Sequence, residues 1–321
     1  MAERTDSPTI TIKSPSNGHR AARSPVLPFP GTPRVHLLRE VRHSSFDFLS
    51  QNGDDTPESA IICGDSHVAL AVMPAGIFQS CVTSPPYWSL RDYAIPGQIG
   101  LETSLEEYIQ ELVKVFKQVY RVLRDDGTLW LNIGDSYTSG GRTWRAPDKK
   151  NPGRAMEVRP PTPDGLKPKE LTGVPWRLAF ALQAQGWYLR ADIVWNKPNC
   201  QPESVKDRPT RCHEYIFLLT KSERYSYHGG VVRGPNGRNL RTVWDINTQA
   251  CREAHFATFP PALVEWCLAL GSLPGDLVLD PFFGSGTTGQ VCLEKDRRFV
   301  GVELNPDYIA IAERRLKAAI V

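Results

Sequence analysis

The clearest pattern in the chain is helical. Between residues 105 and 123 the apolar positions Leu105, Tyr108, Ile109, Leu112, Val115, Phe116, Val119 and Leu123 recur at three- and four-residue intervals, with charge between them. That spacing lays one apolar face along a helix over 105–123, closed by Asp125-Asp126-Gly127. The flanking pattern differs. Residues 60–63 and 128–133 are short, mostly apolar runs, as expected of strands buried on both faces, and 78–82 reads as a further strand ending in the apolar Cys81-Val82. A short helix with Val68, Leu70 and Val72 separates the first two. Strands alternating with helices at this spacing predict βαβ units and a parallel sheet. Farther on, the same reading predicts helices over 175–185, 262–270 and 306–317, and strands over 188–195, 213–220, 277–280 and 298–303. A further helix is predicted from about Thr288.

Several stretches break the pattern. Residues 1–34 are rich in Ser, Thr, Pro and Arg without periodicity, and read as a loosely held arm with Arg4, Arg20 and Arg23 on it. Residues 35–51 suggest at most a short helix or strand pair on the edge. Residues 138–170, 196–212 and 221–252 are poor in strands and rich in base, and hold a large share of the positive charge. The expected organisation is an N-terminal arm over 1–58 and one domain over 59–321, with insertions at 138–170 and 196–252.

Composition narrows the picture further. With 321 residues the chain can bury a substantial core, and its net charge of +3 says little about partners; the distribution of charge says more. Seven cysteines, an odd number without C-x-x-C spacing, suggest reduced buried thiols and a cytosolic setting. Cys212-His213 lacks partners at metal-site spacing, so no metal is expected. No signal-peptide pattern is present, and no apolar run approaches the roughly 20 residues of a membrane span.

Two stretches carry candidate chemistry. In Thr83-Ser84-Pro85-Pro86-Tyr87-Trp88 a strand runs into a loop stiffened by two prolines, which fix φ and remove backbone donors. A hydroxyl, free carbonyls and aromatic faces in a rigid array suit a planar ring bearing an amino group. Read alone, the same residues simply end a strand. The second stretch, residues 277–289, is an apolar strand, Asp280, then Pro281-Phe282-Phe283-Gly284-Ser285-Gly286-Thr287-Thr288-Gly289. Its G-x-G-x-x-G is a weak signal by itself, and no Lys-Ser/Thr follows to make a P-loop. Glu303, ending the next strand, stands where a ribose would lie in a dinucleotide site.

Together the two stretches resemble the amino-methyltransferases of DNA, in the group whose catalytic motif precedes the cofactor motif. The resemblance covers about residues 60–316. It implies an α/β, Rossmann-like S-adenosylmethionine-dependent methyltransferase fold, permuted in motif order, with a mostly parallel sheet and an antiparallel edge strand. It makes Ser84, Pro85, Pro86 and Tyr87 the catalytic loop, and serine before Pro-Pro resembles the cytosine-N4 branch rather than the adenine-N6 one. For the cofactor, S-adenosylmethionine, it implies a wrap of Phe282, Gly284, Gly286 and Thr287, Asp280 near the methionine amine, and Phe259 in a segment toward the methionine portion. Glu303 would face the ribose and Asp65 the adenine. Asp65 also reads as a helix N-cap, and the two roles are compatible. Double-stranded DNA is the implied partner, met by Arg142, Arg145, Lys149, Lys150, Lys197 and Arg208 in the basic insertions. Trp195 falls where the family places residues near the target base, and reads equally as core. A separately acting cognate restriction endonuclease, and a monomer or homodimer, complete the implied context.

The motif order supports one closed sheet. After Glu303 too little chain remains to cover a parallel sheet on both faces, so the missing strands must come from the N-terminal half. That brings Ser84 to the cofactor's edge of the sheet. The expected reaction is direct transfer to an exocyclic amine of a flipped-out base, with Tyr87 stacking on it. A cytosine-C5 enzyme typically has a nucleophilic cysteine after proline, and no cysteine here follows a proline. Adenine-N6 methylation and a non-catalytic nucleotide- or DNA-binding protein are the alternatives.

Overall fold

A computed structural model describes residues 11–12, 33–39, 43–46, 58–138, 144, 160–249 and 259–320. In chain order the strands are β1 (Thr11–Ile12), β2 (Arg34–Leu38), β3 (Glu58–Cys63), β4 (Phe78–Thr83), β5 (Leu123–Ile133), β6 (Tyr188–Asn196), β7 (His213–Thr220), β8 (Val232–Arg233), β9 (Val243–Asp245), β10 (Leu277–Asp280) and β11 (Arg298–Glu303). The helices are α1 (Ser66–Val72), α2 (Leu105–Val122), α3 (Val174–Ala184), α4 (Pro261–Gly271), α5 (Thr287–Glu294) and α6 (Pro306–Ile320).

Nine strands form one sheet in the order β2-β3-β11-β10-β4-β5-β7-β6-β9. All pair in parallel except β7, which is antiparallel to both β5 and β6. The C-terminal strands β10 and β11 lie between β3 and β4 from the N-terminal half, so the permuted order closes into one sheet. Leu131 and Ile133 of β5 pack with Leu70, Leu112, Phe116 and Leu178 from α1, α2 and α3. Trp130, between Leu129 and Leu131, turns to the other face, where Val264, Cys292 and Ile309 of α4, α5 and α6 close a second core. Alternation along a strand buried on both faces accounts for the unbroken apolar runs.

Some elements differ from the sequence expectation. Asp125-Asp126-Gly127 does not end α2 with a turn: β5 begins at Leu123 and includes these residues, with an irregularity in its pairing to β4 between Phe78 and Ser80. At Gly127 a Cβ would stand 3.0 Å from the Arg124 carbonyl oxygen, which explains glycine there. The start of α2 is set instead by a capping box: Ser104 accepts from the Glu107 N–H while the Glu107 side chain accepts from that of Ser104. Residues 34–38, assigned to the arm, form β2 and pair in parallel with β3, so this part of the arm belongs to the main sheet. The β6–β7 pair is not the sheet's margin, because β9 from the basic segment 221–252 pairs with Val194–Asn196 beyond it. The expectation of reduced thiols fails at Cys200 and Cys212. The β6–β7 pairing turns the chain back on itself here, leaving their Cα atoms 5.3 Å apart and the sulfurs joined as a disulfide. Cys63, Cys81, Cys267 and Cys292 are free thiols, and Cys251 lies outside the described residues. No helix among the described residues is long and apolar enough to cross a membrane.

Candidate active site at the carboxyl edge of the sheet

Because β3, β4, β5, β10 and β11 are parallel, they end at one edge and place Asp65, Ser84, Asp135, Asp280 and Glu303 along it. Ligands of open α/β sheets bind at this edge. Three contacts tie the N-terminal strand ends to the C-terminal ones. The Thr83 hydroxyl donates to Asp280 Oδ1 at 2.6 Å, the Ser66 hydroxyl to the Pro281 carbonyl at 2.5 Å, and the Gly64 N–H to the Glu303 carbonyl at 2.9 Å.

The catalytic-loop candidate is held from beneath. Tyr108 of α2 donates its hydroxyl to the Pro86 carbonyl at 2.8 Å, and the buried Trp88 indole donates to the Glu102 carbonyl at 3.1 Å. With the Pro86 carbonyl occupied, the Ser84 hydroxyl and the Pro85 carbonyl are the candidate acceptors for an amino group. Ser84 is half-buried and Pro85 buried. Tyr87 passes the end of β5, where a Cβ on Gly134 would come within 2.6 Å of its ring. Its hydroxyl donates to Glu214 Oε2 at 2.7 Å. Burial first, and then the Glu214 carboxylate, hold the phenol well above its ordinary pKa, while Ser84 lowers it in part.

The cofactor-loop candidates divide into a scaffold and an open face. Asp280 is 1% exposed and its carboxylate is fully engaged. Besides Thr83, it accepts from the Phe282 N–H at 3.1 Å and from the Thr288 hydroxyl at 2.6 Å. Asp280 thereby braces the glycine turn from below. Burial pushes its carboxyl up to about 6 against those hydrogen bonds. Phe282 is half-buried and meets Phe116 edge-on, with ring centroids 6.4 Å apart. Phe283 stacks on Phe299 at 5.3 Å and fills the space that side chains on Gly289 and Gly301 would need, the latter at 2.3 Å. Thr287 is buried at the start of α5, where the Arg315 guanidinium donates to it at 3.3 Å and to the Ser285 carbonyl at 2.6 Å.

Gly284 and Gly286 both have positive φ, +52° and +82°. A Cβ on Gly284 would meet nothing within 4 Å, so backbone there faces open space that a ligand can approach. The Gly284 N–H donates to Glu303 Oε2 at 2.7 Å, and the Asn305 N–H to Oε1 at 2.8 Å. Burial pushes the Glu303 carboxyl up to about 7 despite these donors. Asp65 caps α1, accepting from the Val68 N–H at 2.9 Å, and sits next to the Gly64–Glu303 contact. Phe259 is half-buried, packed on the second core just before α4; residues 255–258 of its segment lie outside the described residues. An open glycine turn beside a carboxylate fits a nucleoside-bearing cofactor.

The DNA-contact candidates fare unevenly. Arg142, Arg145, Lys149 and Lys150 lie outside the described residues. Trp195 is 3% exposed, with its indole N–H donating to the Ile246 carbonyl at 2.8 Å. It is core, because β9 and the chain after it cover β6. The Lys197 ammonium lies 4.2 Å from the centre of the Trp195 ring and pairs with Glu214, so its charge is taken up internally. Arg208 pairs with Glu203 at 2.6 Å and lies 4.0 Å over the Tyr137 ring. Together with Lys169–Asp207 at 2.8 Å, this brings the two basic insertions together.

Sequence reasoning missed Asn132, Asp135 and Glu214. Asp135 accepts from the Thr172 hydroxyl and the Gly173 and Val174 N–H groups at 2.8–3.1 Å, which caps α3 and closes the base of the first insertion. None of the three stands in a local pattern that would have flagged it. A cavity of about 240 Å³ between Trp130, Trp244, Tyr225 and Arg190 is lined by none of the site residues named above.

Over residues 78–314 the chain matches the family model for N6/N4 methyltransferases, described as DNA methylase, and it belongs to that family. It is 61% identical to the type II methyltransferase M.SmaI of Serratia marcescens over 262 residues, 80% of this chain and 90% of the relative. M.Cfr9I of Citrobacter freundii, also a type II methyltransferase, is 61% identical over 258 residues, 79% of this chain and 86% of the relative. Among solved structures, TTHA0409 of Thermus thermophilus complexed with S-adenosyl-L-methionine superposes with a TM-score of 0.56 at 27% identity, over 82% of this chain and 96% of that one. The PvuII DNA methyltransferase (cytosine-N4-specific) shares the fold, with a TM-score of 0.62 at 20% identity and 89% of each chain covered. The methyl donor of the chain is S-adenosylmethionine.

Proposed function

We propose that the chain methylates the exocyclic N4 amine of cytosine in duplex DNA, as the modification half of a type II restriction–modification pair. The observation that carries this is Ser84 at the head of a clamped Pro-Pro loop, one residue from the Thr83–Asp280 contact that joins it to the cofactor turn. The type II relatives, at 61% identity, support the restriction–modification context.

S-adenosylmethionine supplies an electrophilic methyl group on its sulfonium. The chain's own residues do the rest. The N4 lone pair of cytosine is drawn into the ring, so the amine is a weak nucleophile. Acceptance of its N–H groups by the Ser84 hydroxyl and the Pro85 carbonyl favours a pyramidal nitrogen with its lone pair aimed out of the ring plane. The Tyr87 ring stacks on the flipped base, and half-exposed Ser84 leaves the released proton a route to water. Gly284, Gly286 and Phe282 border the cofactor, Glu303 takes its ribose hydroxyls, and Asp65 lies toward its adenine. Duplex phosphates meet the joined basic insertions, with Arg208 among the contacts.

Glu303 gives the binding role a pH signature. Ribose hydroxyls donate to an ionised carboxylate, whereas burial holds this one partly protonated below about pH 7. Cofactor binding therefore expels a proton at low pH and none at high pH. S-adenosylmethionine affinity is expected to rise by up to about tenfold per pH unit to about pH 7 and then level off. Glu303→Gln should abolish the slope. Calorimetric titrations across pH check this, and a flat wild-type profile contradicts the assignment.

The base is tested by expressing the chain in a host without N4-methylcytosine and digesting its DNA to nucleosides. N4-methylcytosine is expected. N6-methyladenine alone would contradict the proposal while keeping the family.

A further inference from the structure

Being antiparallel, β7 brings its first residues, not its last, to the edge where the parallel strands end, and so delivers a carboxylate there. Glu214 is placed among three donors. Its Oε2 accepts from the Tyr87 hydroxyl at 2.7 Å and from Asn132 Nδ2 at 3.3 Å, and its Oε1 pairs with the Lys197 ammonium. Asn132 is fixed in turn by a second bond from Nδ2 to the Tyr215 carbonyl at 3.1 Å. The side chains of Lys197 and Glu214 are only 16% and 19% exposed, so solvent screens this pair far less than a surface pair. The Tyr87 ring and the Glu214 side chain both rest against Gly134, where a Cβ would stand 2.6 Å from the ring and 3.3 Å from the Glu214 carboxyl carbon.

We propose that Glu214 is a positioning residue for the transfer step. It holds the Tyr87 phenol so that the ring stands fixed as the stacking face for the flipped base, and the Lys197 ammonium holds the Glu214 side chain in place for that task. The inference rests on the proposed function and assigns a residue that the Pro-Pro loop alone does not reveal. A tyrosine anchored only by packing can swing about two side-chain torsions. A side-chain acceptor on its hydroxyl and a glycine against its edge restrict it to one orientation, and misplacement of a reacting partner by about 1 Å can cost about a hundredfold in rate.

The experiment is a double-mutant cycle on the full-length protein with duplex DNA that the wild type methylates. Tyr87→Phe removes the hydroxyl and keeps the ring. Glu214→Leu removes the acceptor, and Glu214→Gln keeps one. Single-turnover transfer is expected to fall about tenfold in Tyr87→Phe and in Glu214→Leu, with S-adenosylmethionine affinity unchanged and no further loss in the double variant. Glu214→Gln should stay within about threefold of wild type, a rescue that loss of packing would not produce. If Glu214→Leu does not fold, Tyr87→Phe and Glu214→Gln still give the answer. Wild-type transfer by Tyr87→Phe, or losses that multiply in the double variant, would overturn the inference. Absence of transfer by the wild-type protein itself would overturn the proposed function, and this inference with it.

Discussion

Ser84→Ala is expected to slow methyl transfer by about 10²–10³-fold while leaving S-adenosylmethionine affinity within about twofold of wild type. The size is that of removing one preorganised hydrogen-bonding group from a site where charge develops. The selectivity follows from how the loop is held. Tyr108 grips the Pro86 carbonyl and Trp88 the Glu102 carbonyl, while the prolines fix their own torsions. On the proposed function, Ser84 thus contributes a functional oxygen rather than the shape of the loop. The cofactor turn takes its support from Asp280, Arg315 and Glu303. Single-turnover rates and cofactor titrations on the same preparation separate the two quantities, and equal loss of both would contradict this division of roles.

Asp280→Ala is expected to destabilise the fold by about 3–5 kcal/mol, the range for breaking a buried, fully hydrogen-bonded charged group. The substitution strands the Thr83 and Thr288 hydroxyls and the Phe282 N–H inside the protein. It also cuts the side-chain tie between the end of β4 and the end of β10, so transfer should fall with stability. Asp280→Asn keeps an acceptor and should cost much less. Its carboxyl is raised to about 6 in the folded chain from an ordinary value of 3.8. The folded state therefore binds this proton more tightly than the unfolded state does. As pH rises from about 4 to about 6, this group's contribution to stability declines, and above that it is constant. Denaturant midpoints of wild type, Asp280→Ala and Asp280→Asn across pH check both parts. An unchanged midpoint in Asp280→Ala contradicts the bracing role.

Much of the fold was legible because its signals are local. The apolar face of α2 and the buried runs of β3, β4 and β10 have periods set by helix and strand geometry, and those periods survive in the sequence. The shared edge of Ser84 and Asp280 was legible in the order of the motifs, and β10 and β11 do lie between β3 and β4 from the N-terminal half. What escaped depends on pairing between distant strands. Glu214 and Asn132 are ordinary polar residues until β5 and β7 align Asn132 with Ile216 and Ile133 with Tyr215. Cys200 and Cys212 carry no motif, and they meet only because β6 and β7 form a hairpin-like return. Trp195 and Lys197 matched a surface role by position and composition, yet β9 covers the strand that carries them. Asp280 ends the strand before the glycine turn, as the sequence suggests, but its burial under the turn follows from the β4–β10 contact.

The most direct test of the account is transfer of labelled methyl from S-adenosylmethionine to duplex DNA by purified wild-type and Ser84→Ala protein, followed by nucleoside analysis of the digest. The account predicts label in N4-methylcytosine with the wild type and at least a hundredfold less in the same nucleoside with Ser84→Ala. Label in N6-methyladenine, or undiminished transfer by Ser84→Ala, would contradict it.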